Sequence, residues 1–389
     1  MKKANRIANV PPYLFAEIDK KREAAKARGI DIINISIGDP DTPTPAHIVD
    51  AMHKAIDNPA NHDYPPYEGT MAFKEAVAYR YKTRFGVDLD PKSEIIALIG
   101  SKEGIAHIFL AFVDPGDTVL LPNPGYPVYN VGTILAGGVP HYMPLRPDQN
   151  WTPDLSQIPE DVAKKAKLMF LNYPGNPTAA VAPKSFFEEA IAFAKKYDIL
   201  ICHDLAYSDV SFDGVVVPSI LEIPGAKDVC IEFNSLSKTY NMTGWRLGMA
   251  VGNAEAIAAL SIIKTNVDSG QFKAIQEAGI VALRGPHDHL DTLNAMYKER
   301  RDILFAGLKK LGWDNPPPKA SFYAWLPVPP GYTSASFIET LIEKCGIVAT
   351  PGNGYGSGGE GWFRLTITTP KEKIIEALDR MEKAGIRYK

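Results

Sequence analysis

From residue 94 onward, short apolar runs of strand length recur, separated by stretches in which apolar residues fall three and four positions apart. Glu94 to Ile99, Thr118 to Leu121, Leu168 to Leu171, Ile199 to Cys202, Val229 to Phe233 and Leu247 to Val251 read as strands. Between several of them lie amphipathic stretches such as Lys184 to Tyr197, where Phe186, Phe187, Ala190, Ile191 and Ala194 recur at helical spacing. Such a chain has few folds open to it. Strand and helix in alternation imply a mostly parallel sheet with helices on its faces, an α/β architecture. Ligands of these sheets sit beyond the carboxyl ends of the strands, so the loops that follow the apolar runs are where chemistry is expected.

The two ends of the chain read differently. A long helical pattern from His289 to Leu311 leads to Pro316-Pro317-Pro318, and strands near Phe322 to Leu326 and Trp362 to Thr368 then alternate with helices Ser334 to Cys345 and Lys371 to Lys383. This pattern predicts a smaller α+β domain. Near the start, Tyr13 to Arg28 reads as a helix and Ile32 to Ile37 as a strand, and both are expected to pack with that domain. Pro327 to Gly331 and Gly352 to Gly361 read as loops, the latter too glycine-rich for regular structure. The expected division is residues 1–42 as an N-terminal arm and part of the small domain, 43–285 as a large domain and 286–389 as the C-terminal small domain. A length of 389 residues accommodates it.

After one of these strands comes Asn234-Ser235-Leu236-Ser237-Lys238-Thr239, followed by Tyr240-Asn241-Met242-Thr243-Gly244-Trp245-Arg246-Leu247-Gly248. A lone lysine among small hydroxyl residues, with an arginine eight positions on, suits an amine that condenses with a carbonyl beside a bound phosphate. Pyridoxal 5'-phosphate meets that description. Lys238 is then the amine that takes the cofactor aldehyde, while Ser235, Ser237 and Arg246 hold the phosphate, Arg246 through its paired N–H groups. In isolation the same residues fit a surface lysine in a serine-rich turn.

The other loops supply partners. The cofactor needs a carboxylate against its pyridine nitrogen to remain an electron sink, and Asp204, in Cys202-His203-Asp204-Leu205-Ala206-Tyr207, ends a buried strand. A strand-ending aspartate is otherwise often a turn or cap. Tyr207 is expected to direct its phenol, and Asn176 in Asn172-Tyr173-Pro174-Gly175-Asn176-Pro177-Thr178 its amide, to the ring's 3′ oxygen. Gly100-Ser101-Lys102 opens a helix whose first amides make a phosphate seat, with Ser101 equally able to serve as an ordinary cap. Tyr126, in Pro124-Gly125-Tyr126-Pro127, is placed to stack on the ring, or to sit in the core.

Taken in order, Gly100-Ser101-Lys102, Tyr126, Asn176-Pro177-Thr178, Asp204 with Tyr207, Ser235-Leu236-Ser237-Lys238, Arg246 and a C-terminal Arg364 resemble the class I/II aminotransferases of fold type I over essentially the whole chain. The resemblance implies a pyridoxal-phosphate-dependent transferase fold, with a mostly parallel large domain and a smaller α+β domain built from both chain ends. It implies that Arg364 pairs with the substrate's α-carboxylate, that the backbone of Gly38 approaches the same carboxylate, and that the Asn176–Pro177 peptide is cis. Tyr64 matches a tyrosine that reaches the neighbouring subunit's phosphate, which implies a homodimer with shared active sites.

Within that family, Pro12-Tyr13-Leu14-Phe15-Ala16-Glu17-Ile18 and Ile35-Ser36-Ile37-Gly38-Asp39-Pro40 resemble LL-diaminopimelate aminotransferases, in which the tyrosine matching Tyr13 lines the substrate pocket. Such an enzyme interconverts LL-2,6-diaminopimelate and 2-oxoglutarate with tetrahydrodipicolinate and glutamate, in lysine biosynthesis. The chain departs from the plant-type pattern Gly-Ala-Glu-Gln-Gly after that interface tyrosine: Tyr67 replaces the glutamate and Glu68 is shifted by one. Tyr13, Tyr67 and Glu68 are the polar groups expected at the far end of the substrate, with Tyr64, Tyr67 and Glu68 arriving from the partner. Alanine, aspartate or aromatic aminotransferases and carbon–sulfur β-lyases share this scaffold and stand as alternatives.

Composition excludes other classes. With 42 basic and 45 acidic residues the charges nearly cancel, so neither nucleic acid nor an anionic membrane is an expected partner. No basic helix-turn-helix extension precedes Pro11, against a DNA-binding regulator. Met1-Lys2-Lys3-Ala4-Asn5-Arg6 is followed by no apolar leader segment, and no run approaches bilayer length, so a cytoplasmic protein is expected. Cys202, Cys230 and Cys345 lack the paired spacing of a disulfide framework or zinc site. No metal is expected.

Overall fold

The computed structural model describes residues 1–388, the side chain of Phe15 excepted. A seven-stranded sheet forms its centre, from β1 (Ile95–Leu98), β2 (Thr118–Asn123), β3 (Val139–Pro144), β4 (Ala166–Asn172), β5 (Leu200–Asp204), β6 (Cys230–Ser235) and β7 (Gly248–Gly252). The spatial order is β1-β7-β6-β5-β4-β2-β3, and every pairing is parallel except the two made by β7. Successive side chains along each strand point to opposite faces of the sheet and feed two cores. Ala97, Met169, Leu171, Ile201 and Val251 meet helices Ala46–Ile56, Met71–Phe85, Lys184–Tyr197 and Lys273–Arg284 on one face. Ile96, Leu168, Phe170, Cys202 and Ala250 meet helices Ser101–Phe112, Pro127–Ala136 and Ala254–Val267 on the other.

A third core lies apart from these. Ile18, Ala25, Ile33 and Ile35 from the start of the chain pack with Leu293, Leu304, Trp313, Phe337, Leu341, Phe363 and Ile374 from its end. Here Thr350–Pro351, Trp362–Thr366 and Tyr323–Pro327 form a three-stranded antiparallel sheet, and Ile33–Asn34 pairs in parallel with Ile347–Val348. The predicted helices Lys184–Tyr197, Ser334–Cys345 and Lys371–Lys383 form over those spans.

Three elements differ from the sequence reading. Ile32 to Ile37 was expected as a strand, but only Ile33–Asn34 is one, because Ser36 turns its backbone N–H and hydroxyl onto the side chain of Asn34. The stretch Gly352 to Gly361 is not wholly irregular: it holds two 3-10 turns, Gly352–Tyr355 and Ser357–Gly359, the second pinned where Asn123 accepts from Gly358 N–H and donates to Ser357. Strand β3 is absent from the reading; it is an edge strand with two prolines and mostly exposed side chains, so it carries no apolar run.

Loops at the carboxyl ends of β1, β2, β4, β5 and β6 converge with the turn that enters β7. Gly248 lets the last of these approach: a Cβ there would lie 2.7 Å from Ser101 N, 2.9 Å from Asn234 O and 3.0 Å from the Gly100 carbonyl carbon, all backbone atoms. Gly248→Ala is therefore expected to cost about 1–3 kcal/mol and to loosen the start of helix Ser101–Phe112. Denaturant unfolding checks this, and an alanine variant of unchanged midpoint would show that the backbone gives way freely.

Candidate active site

Where the strand ends meet there is a cavity of about 390 Å3. It is lined by Tyr13, Gly38, Ser101, Lys102, Tyr126, Asn176, Asp204, Tyr207, Ser235, Ser237, Lys238, Arg246 and Arg364, residues drawn from a span of more than three hundred positions, together with Tyr323 and Thr243. Tyr64, Tyr67 and Glu68 do not line the cavity of their own chain. Tyr64 is 83% exposed and Tyr67 45%, while Glu68 accepts a hydrogen bond from Ser261 and lies 4.0 Å from Lys74 Nζ.

Lys238 sits on the single helical turn Leu236–Thr239, which Ser235 caps by accepting from Ser237 N–H; the two serine hydroxyls are 2.9 Å apart. Its Nζ donates to Gly38 O at 2.7 Å. Burial lowers its pKa from 10.5 to about 8, with Arg364 and Arg246 pushing the same way and Asp39 opposing. Near neutrality about a tenth of this amine is therefore uncharged, far more than for an ordinary lysine, and that is the form that attacks a carbonyl.

Asp204 ends β5, opposite Asn172 and Phe233 in the neighbouring strands. Burial raises its pKa from 3.8 to about 6, against the hydrogen bond that Tyr129 donates to Oδ2 at 2.8 Å. Its Oδ1 is buried without a partner. An ionised oxygen held out of water and aimed into a cavity fits a protonated ring nitrogen, the counter-charge that pyridoxal phosphate brings.

Ser101, Ser235, Ser237 and Arg246, residue types suited to a phosphate, line the same cavity. Gly100, with φ +72°, precedes Ser101, the first residue of its helix, and a Cβ on Gly100 would collide with the Arg246 guanidinium. The N-cap is thus Gly100 and not the serine. Arg246 itself takes the left-handed backbone conformation, φ 56°, and its Nη1 donates to Thr243 O at 2.8 Å. Helix amides, two hydroxyls and a guanidinium facing one cavity make a site for a dianion. Tyr126 caps helix Pro127–Ala136 and meets Tyr129 edge to face, with centroids 5.8 Å apart.

Arg364 lies on Trp362–Thr366 and is almost wholly buried. Its Nη1 donates to Asn176 Oδ1 at 2.7 Å and its Nη2 to Ser36 O at 2.6 Å, while the guanidinium stacks 4.0 Å from the Tyr323 ring centroid. Because Asn176 turns its oxygen to the arginine, its amide hydrogens are free to face the cavity. The Asn176–Pro177 peptide is cis. Tyr207 OH lies 2.9 Å from Tyr323 OH, and a Cβ on Gly38 would run into the same Tyr323 ring.

Two of these contributors were missed in the sequence. Tyr129 stands three residues after Tyr126 on the same helix face, a spacing that was available as a signal. Tyr323 follows Phe322 in an ordinary strand pattern, and nothing local marks it.

Residues 30–381 match the model of the aminotransferase class I and II family. Two LL-diaminopimelate aminotransferases are each 57% identical: that of Moorella thermoacetica over 98% of both chains, and enzyme 2 of Trichormus variabilis over the full length of both. Among solved structures, substrate-bound BacF from Bacillus subtilis superimposes with a TM-score of 0.96 at 38% identity, over 100% of this chain and 99% of that one. This chain belongs to the class I and II aminotransferases. It is a pyridoxal-phosphate-dependent transaminase.

Two tests follow from the two displaced pKa values. A carboxyl whose folded pKa lies above its unfolded one stabilises the fold at low pH and loses that contribution as pH rises through the folded value. For Asp204, raised from 3.8 to about 6, the ionised form costs the cofactor-free fold about 3 kcal/mol at pH 7. Asp204→Asn should make the apoprotein more stable by that order at pH 7, with the gain vanishing below about pH 4, while transamination collapses. Chemical unfolding at both pH values is the check, and an unchanged or lowered stability at pH 7 would show that the carboxylate is not held at a cost. For Lys238, the rate of covalent cofactor uptake by the apoprotein should climb about tenfold per pH unit below 8 and flatten above it. A rate still climbing at that slope beyond pH 9.5 would mean an ordinary lysine.

Proposed function

We propose that this enzyme transfers the amino group between LL-2,6-diaminopimelate and 2-oxoglutarate in lysine biosynthesis, as a cytoplasmic homodimer whose two sites are shared. The end-to-end match at 57% identity to curated enzymes of that name carries the reading. Residues 43–285 form the large cofactor-binding domain in this reading, and 1–42 join 286–389 in the small one, in keeping with the separate core shared by both chain ends.

Each residue then has a task. Bound pyridoxal phosphate supplies the electron sink that makes a substrate Cα–H acidic. Lys238 would hold the cofactor through its Nζ and would serve, as a free amine, as the base that moves the substrate Cα proton, a role that its lowered pKa favours. Asp204 keeps the ring nitrogen protonated, while Asn176 and Tyr207 donate to the 3′ oxygen. Ser101, Lys102, Ser235, Ser237 and Arg246 hold the phosphate, joined by Tyr64 of the partner subunit, and Tyr126 lies against the ring. Arg364 orients the α-carboxylate by two parallel hydrogen bonds, with the Gly38 backbone beside it.

The far end of the substrate carries a second carboxylate and ammonium. Tyr13 stands at the cavity with the Lys102 Nζ 5.1 Å from its ring centroid. The exposed Tyr67 and the Glu68 carboxylate are presented outward, where a partner's site can receive them.

Charged groups left unpaired in a closed pocket cost about 1–3 kcal/mol each or more, so a site built for both ends rejects shorter amino acids strongly. With 2-oxoglutarate as acceptor, kcat/KM for LL-diaminopimelate should exceed that for alanine, aspartate and phenylalanine by 100-fold or more. Tyr13→Phe and Glu68→Gln should depress LL-diaminopimelate turnover selectively. Similar values for all four donors, or a preference for alanine, aspartate or phenylalanine, would leave a transaminase of different specificity.

A further inference from the structure

Arg246 faces the phosphate side of the cavity from a backbone conformation that a residue with a side chain rarely adopts, φ 56°. It follows the 3-10 turn Thr243–Trp245, whose last carbonyls the turn itself leaves open. Both carbonyls are taken by one side chain: Gln271 Nε2 donates to Trp245 O at 2.7 Å and to Arg246 O at 2.8 Å. A single primary amide has two hydrogens for two acceptors, so the fit uses its full donor capacity.

Gln271 is braced in turn. Its main-chain carbonyl accepts from Gln276 Nε2 at 2.6 Å, and Gln276 Oε1 accepts from Thr70 N–H at 2.7 Å. Gln276 is wholly buried on helix Lys273–Arg284, and Thr70 caps helix Met71–Phe85. The ends of two helices thereby hold the main chain from which the Gln271 amide reaches out. Neither glutamine lines the cavity, and the contact that joins Gln271 to a cavity residue is the one it makes with Arg246. At the other end of that residue, Gly100 leaves the space its guanidinium occupies beside Ser101.

We propose that Gln271, braced by Gln276, is a positioning residue for cofactor phosphate, holding Arg246 in the left-handed conformation that turns its guanidinium into the site. The inference rests on reading Arg246 as a phosphate ligand. Gln271→Glu keeps the side chain's size, removes both N–H groups and sets carboxylate oxygens against two carbonyls. Gln271→Ala removes the contacts without adding charge.

Titration of the full-length apoprotein with pyridoxal phosphate and with phosphate-free pyridoxal, followed by absorbance, separates this role from general loosening. Both variants should raise the Kd for pyridoxal phosphate at least tenfold and leave that for pyridoxal within twofold. Arg246→Ala should show the same phosphate-specific loss, and Gln271→Glu added to it should change little, since the glutamine acts through the arginine. Equal weakening of both ligands, unchanged affinity for both, or losses that multiply in the double variant would overturn the proposal. If Arg246→Ala weakens both ligands alike, the phosphate role of Arg246 itself fails and this inference with it. Should the Gln271 variants not fold, Gln276→Leu removes the brace alone and must give the same phosphate-specific loss.

Discussion

Charge kept out of water without its counter-charge is the constraint on which this structure turns. Lys238 and Asp204 share one cavity, yet the amine bonds a backbone carbonyl and the carboxylate a tyrosine. A protein seeking stability alone would fill this volume with apolar side chains. Here burial moves the pKa values of the lysine and the aspartate toward neutrality, as suits a site that a charged organic ligand completes.

That arrangement demands rigid walls, and the rigidity comes from the joint between the two main bodies of structure. Arg364 belongs to the small sheet, but its hydrogen bonds end on Asn176, from the loop after β4, and on Ser36, from the start of the chain. Tyr323 stacks on it, touches Tyr207 and fills the space that a side chain at Gly38 would need. Polar groups and one ring therefore lock three distant segments at the point where a substrate carboxylate is to be read.

What could be read from the sequence divides along the same physical line. Strands β1, β2, β4, β5, β6 and β7 were legible because both of their faces are buried, which leaves continuous apolar runs. Edge strand β3, with Pro140, Pro144 and exposed side chains, leaves no such trace. The cavity residues were legible where a residue type is chemically demanding, as with Lys238, Asp204 and Arg246. Tyr129, Tyr323 and Gln271 act on those groups from ordinary positions, and their roles exist only once the chain has folded. The shortening of the Ile32 to Ile37 strand is of the same kind, since it depends on one local choice of hydrogen bond by Asn34 and Ser36.

The reversed direction of β7 has a further consequence. Because it runs antiparallel to β6, the chain leaves the sheet at Ser235 and re-enters at Gly248 on the same edge, with Lys238 near one stem of the turn and Arg246 near the other. The twelve residues between Ser235 and Gly248 would suffice for a parallel crossover, but here they begin and finish at one end of the sheet. The hairpin works as a ruler: its residue count sets the spacing between Lys238 and Arg246, the residues proposed to bond the cofactor and to grip its phosphate. Lineages descending from such a chain can lengthen the far loops of the sheet at little cost, but an insertion within this turn changes the length of molecule that the site measures.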